Sequence, residues 1–136
     1  ARNLLRLHHP TGGVELRERA ETLLRVYADA MRQQPFGTAN MLCALDFYTQ
    51  TPKEIVIVGS RDDPATAALL AAARRGYVPN RALTVVVPDG SATLPALLEG
   101  KGQIDGRATA YVCERMTCSA PVTDAAALTL LLERRA

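Results

Sequence analysis

Apolar positions in the first fifty residues recur at three- and four-residue steps, the repeat of helices with one buried side. Leu4, Leu5 and Leu7 mark a short first helix, stopped by the breaker cluster His9-Pro10-Thr11-Gly12-Gly13. A longer helix is predicted over about Val14–Gln33. Its stripe is Leu16, Ala20, Leu23, Leu24, Tyr27 and Met31, with Arg17, Glu18, Glu21, Arg25 and Asp29 outside and Pro35 ending it. A third helix, about Gly37–Thr49, is apolar on much of its circumference through Met41, Leu42, Ala44, Leu45 and Phe47. That is more apolar surface than two neighbouring helices cover, and Cys43 within it is expected in the core.

From Pro52 the period changes. Glu54-Ile55-Val56-Ile57-Val58-Gly59 is a β-branched run, the pattern of a strand covered on both faces. Asp63 offers an N-cap and Pro64 a first-turn proline to a helix ending near Arg75. Leu83–Pro88 reads as a second strand, Leu94–Glu99 as a short helix and Ala108–Cys113 as a third strand. A last helix, capped by Thr123-Asp124, carries Leu128, Leu130, Leu131 and Leu132. Strands alternating with helices at this spacing predict βαβ units. The expected fold is α/β, a small three-stranded, mainly parallel sheet with flanking helices. Residues 1–50 form a helical region, and residues 51–136 a βαβ-type module.

Composition narrows the function. The 136 residues carry sixteen basic and fourteen acidic side chains, a net +2, too balanced for an electrostatic nucleic-acid binder. Fourteen of the basic residues are Arg, a bias that points to codon usage more than to a site. No apolar run approaches the roughly 20 residues that cross a bilayer, so no membrane partner is expected. Four Tyr, two Phe and no Trp leave little for stacking on bases or sugars. The start lacks a Met and a signal-peptide pattern and falls within a helical repeat, as in a trimmed chain. Three sparse cysteines in a cored domain read as reduced and cytoplasmic.

Four stretches could carry chemistry. Gly59-Ser60-Arg61-Asp62-Asp63-Pro64 lies where α/β proteins bind ligands, at a strand's C-terminal end and a helix start. Two adjacent carboxylates and the absence of a glycine-rich or Walker pattern argue for capping over phosphate binding. Val87-Pro88-Asp89-Gly90-Ser91 ends the second strand and reads first as a turn. Ser60, Arg61, Asp89 and Ser91 are the candidate strand-end ligand residues. His8-His9 has neither the i, i+4 spacing nor the company of a metal site and reads as a solvated helix end. The most distinctive segment is Tyr111-Val112-Cys113-Glu114-Arg115-Met116-Thr117-Cys118-Ser119-Ala120-Pro121. Its Cys spacing is wider than the Cys-x-x-Cys of redox helices. Cys113 and Cys118 are therefore candidates either as structural thiols or as a redox pair. No residue is assigned a catalytic role, and neither a metal nor a cofactor is expected.

The combination Met41-Leu42-x-Ala44-Leu45-Asp46-Phe47, Glu54–Gly59, Asp63-Pro64-x-Thr66, Tyr77-x-Pro79-Asn80, Pro95-x-Leu97-Leu98-Glu99-Gly100-Lys101, Ala110–Cys113 and Cys118-x-Ala120-Pro121-x-Thr123-Asp124 resembles the C-terminal end of the spermatogenesis-associated protein 20 family. The resemblance covers nearly the whole chain, and the Cys-x4-Cys-x-Ala-Pro segment is its most specific part. It implies a longer parent with an N-terminal thioredoxin-like domain. A helical toroid like that of sugar epimerases and six-hairpin glycosidases would follow, and residues 1–50 would be its last helices. The upstream domains would then be this chain's partners.

The leading expectation is a non-catalytic structural or interaction module at the end of a larger protein. One alternative is part of a carbohydrate-processing or thiol-redox enzyme to which this piece lends a wall. The other is a small-molecule binding module at the strand-end loops. Helices cut from a toroid would expose an apolar face, so a homodimer through Val14–Thr49 is also expected.

Overall fold

The computed structural model describes residues 1–88, 99–115 and 117–133. Its internal contacts divide the chain into two units, Ala1–Pro52 and Lys53–Ala136.

The first unit is helical. α1 (Arg2–Thr11) runs through Pro10, beyond the expected stop, and ends where Gly12 takes a φ of 68°. That left-handed conformation suits glycine, and it lets the Gly12 amide donate to His8 O at 2.7 Å. The expected long helix is divided into α2 (Val14–Val26) and α3 (Ala28–Gln33). Tyr27 sits between them at φ −91°, ψ 5°, after a β-branched residue and itself aromatic, both weak helix formers. α4 (Ala39–Thr49) packs Phe47 against Leu5 and Ala20, and Ala44 against Leu24 and Met31.

The second unit is α/β, as expected, with a different sheet. β1 (Lys53–Val58), α5 (Pro64–Arg75) and β2 (Arg81–Val86) form one parallel βαβ unit, Ile55 opposite Leu83. β3 (Thr109–Glu114) is antiparallel to β1 on its other side, and a fourth strand, β4 (Thr117–Cys118), is antiparallel to β3. The sheet is thus four-stranded and mixed, in the order β2-β1-β3-β4, rather than three-stranded and mainly parallel. The cause lies in the connection. β2 ends opposite Val58, and β3 begins opposite the same residue, with Thr109. The chain therefore re-enters at the end of the sheet it left, which forces an antiparallel strand. Asp105 (φ 50°) and Gly106 (φ 69°) make the tight reversal just before it, closed by the Arg107 amide on Ile104 O at 2.9 Å. The expected Leu94–Glu99 helix falls almost wholly outside the described residues.

Strand alternation sends Ile55, Ile57, Ala110 and Val112 to one face. There they pack with Leu69 and Ala73 of α5 and with Leu128 and Leu132 of α6 (Ala125–Glu133). Val56, Val58, Val86 and Tyr111 form the cluster of the opposite face. Asp124 caps α6 by accepting from the Ala127 amide at 2.8 Å.

Candidate functional site

The β1–α5 loop is built for capping. Asp63 Oδ1 accepts from the Ala65 amide at 2.9 Å, and Asp63 Oδ2 accepts from the Thr66 hydroxyl at 3.2 Å. The backbone carbonyl of Asp63 also accepts from the Ala67 amide. Both carboxylate oxygens are therefore spent on the helix N-terminus, where an incoming anion would otherwise bind. Ser60 and Arg61 stand exposed beside this loop, whereas Asp89 and Ser91 lie outside the described residues. Gly59 is buried, its amide donating to Val86 O at 2.9 Å. A Cβ at this position would sit well inside 3.0 Å of Thr66 Oγ1 and 3.1 Å from Ala108 Cβ, so only glycine lets α5 start this close to the strand.

On the opposite face, the Tyr111 hydroxyl donates to Gly102 O at 2.7 Å and accepts from the Gly102 amide at 3.1 Å. The buried Thr109 hydroxyl donates to Arg107 O and accepts from the Ile104 amide. These two side chains hold residues 102–107 onto the end of β3. Sequence reasoning missed both the clasp and the reversal, although Asp105-Gly106 is a strong hairpin signal.

Cys113 and Cys118 face each other across β3 and β4 and are joined as a disulfide, not left as reduced thiols, with Cα atoms 3.9 Å apart. Cys113 is buried and Cys118 is exposed. Cys43 is a free, exposed thiol rather than a core residue: α4 turns Ala44 and Phe47 inward, and the adjacent position points outward.

In the helical unit the histidines are not a solvated end. His8 Nδ1 lies 3.0 Å from Gly13 O, and the His9 ring meets the Phe47 ring edge-on, with centroids 5.7 Å apart. That unit carries a mainly apolar groove of about 430 Å3, lined by Leu24, Ala28, Met31, Leu42, Leu45 and Tyr48 and by the charged Glu21, Arg25 and Arg32. Its sequence signal was the excess apolar surface of α4. Among the described residues no three His, Cys, Asp or Glu side chains gather to hold a metal, and no helix is long and apolar enough to cross a membrane.

The architecture is that of a two-unit chain, a helical unit followed by a small mixed-sheet α/β unit. Over nearly its whole length this chain is homologous to one region of spermatogenesis-associated protein 20, consistent with the C-terminal region expected from the sequence. It is 38% identical to the human protein over 135 residues, 97% of this chain and 17% of that protein. The rat and mouse proteins are each 36% identical over 137 residues, 98% of this chain and 17% of theirs. The chain thus spans about a sixth of the length of the curated relatives it matches. No family model matches the sequence, and no solved structure matches it.

Proposed function

We propose that this chain is a non-catalytic packing module within a larger polypeptide, and that helices from the remainder of that polypeptide fill the groove between α2, α3 and α4. The observation that carries this reading is the groove itself: six apolar or aromatic side chains from α2, α3 and α4 line it, together with the charged Glu21, Arg25 and Arg32. An apolar hollow of this kind can receive the side chains of a partner segment. The occupant is assigned to the same polypeptide because the relatives are about six times longer than the matched region. The inward use of Asp63, Thr66, Thr109 and Tyr111 supports the same reading, since these groups organise the fold.

Ala28→Glu tests it. Ala28 lines the groove and is the first residue of α3, where a carboxylate favours the helix dipole. The substitution should leave the melting temperature of this chain by itself nearly unchanged. In a polypeptide of the relatives' full length it should lower the melting temperature by several degrees, because it forces a larger, charged side chain into a covered groove. An unchanged full-length protein would overturn the reading. So would a dimer of this chain by light scattering that Ala28→Glu dissociates, which would make a second copy the occupant.

A further inference from the structure

We propose that Cys113–Cys118 is a reversible thiol–disulfide exchange site, acted on by dithiol reductants, that locks and unlocks the edge strand of the sheet. Beyond β3 the edge is formed by residues 117–122, anchored at its far end by Val122, which packs against the core, and thinly attached nearer the hairpin tip. β4 has two residues, both exposed. Beyond it the Ser119 amide donates to Val112 O at 2.9 Å, and Ala110 and Val122 exchange a pair of bonds at 2.8 and 3.0 Å. Arg115, which follows β3, is a poor turn former. Only Arg115 and Met116 separate Glu114 from Thr117, and Arg115 takes a φ of 50°. In so short a hairpin loop Gly or Asn serves that conformation, and a long side chain opposes it. Closure of the hairpin tip therefore rests on the covalent bond between directly opposed residues.

The pair is also asymmetric in the way exchange requires. Cys118 is exposed while Cys113 is 5% exposed, so an attacking thiolate reaches the Cys118 sulfur. A reductant–Sγ bond forms at Cys118, and the Cys113–Cys118 bond breaks with its electron pair leaving on Cys113 Sγ, which takes up a proton. The second thiol of the reductant then displaces Cys118 from the mixed disulfide. The dithiol becomes a disulfide, and two protons and two electrons end on the cysteine pair. Loss of the six-residue ring removes its closure term, an increase of about 40-fold in the opening equilibrium of the tip. Residues 117–119 then fray from β3, leaving that stretch of its outer edge unpaired.

The test is alkylation with mass spectrometry and amide exchange on the full chain, with dithiothreitol as the dithiol. Protein prepared without reductant should alkylate at Cys43 and spare Cys113 and Cys118. Millimolar dithiothreitol under native conditions should make both available. The Ser119 amide should then exchange about 40-fold faster, with those of Val122 and of Ile57 in the central strand unchanged. Cys113→Ser/Cys118→Ser should reproduce the fast exchange and ignore dithiothreitol. Free thiols at both positions before reduction would overturn the proposal. So would a bond that opens only on global unfolding, the mark of a passive staple, or exchange at Ser119 that reduction does not change.

Discussion

Gly59→Ala measures how closely the strand-end loop is tied to the fold. The added methyl would overlap Thr66 Oγ1 and press on Ala108 Cβ at 3.1 Å, and the site is fully enclosed, since Thr66 is 3% and Ala108 1% exposed. Overpacking of this kind costs about 1–3 kcal/mol. The lower entropy of the unfolded alanine chain returns about 0.4–1 kcal/mol. The Thr66 hydroxyl must also move, and it is the donor to Asp63 Oδ2, so the cap loosens with it. A net loss of about 2 kcal/mol is expected. Urea denaturation followed by circular dichroism gives that number directly, provided the slope of the transition is unchanged. The mechanism is tested by the cycle with Thr66→Ala. Removing the hydroxyl costs about 1 kcal/mol alone but opens the space the new methyl needs. The double variant should therefore be more stable than the sum of the singles by about 1 kcal/mol or more. Strictly additive losses, or a Gly59→Ala protein as stable as the parent, would refute the close-approach argument.

Leu128 of α6 is fully buried against α5 and the sheet, so Leu128→Ala should cost about 3 kcal/mol by calorimetry or denaturant; a loss under about 1 kcal/mol would mean that α6 is not docked there. Tyr111→Phe keeps the ring against Val56 and Val58 and removes both bonds to Gly102. Because Gly102 is exposed and water can replace the hydroxyl, the global cost should be only about 1 kcal/mol. The Gly102 amide should nonetheless lose its protection from exchange, and retained protection there would refute the clasp.

What the sequence disclosed follows from how local each signal is. β1, α5 and its Asp63 cap, β2, β3 and α6 were legible because a β-branched run or a capped apolar period is written in adjacent residues. The direction of β3 was not, because it depends on which end of the sheet the chain re-enters. Regular alternation of helix and strand favoured a crossover there, and the one local clue against it, Asp105-Gly106, occupies two residues. The division at Tyr27 escaped for a related reason: the apolar stripe runs through both α2 and α3, so periodicity alone reads one helix.

The cysteine pair shows the same limit at the candidate site and gives its physical resolution. Measured against Cys-x-x-Cys, where both sulfurs share the first turn of a helix, a spacing of five is too wide. Measured against a hairpin it fits, since two strand residues are directly opposed across a two-residue loop when one stands two positions before the loop and the other two positions after it. Cys113 and Cys118 satisfy that relation about Arg115-Met116. The loop lacks the Gly or Asn that would announce it, so the feature that hid the hairpin from the sequence is the one that leaves its closure to the disulfide. A turn that closed by itself would hold β4 in place whatever the state of the sulfurs. Replacing Arg115 by Gly should therefore uncouple the two: the edge strand of Arg115→Gly should stay protected after reduction, whereas that of the parent chain frays.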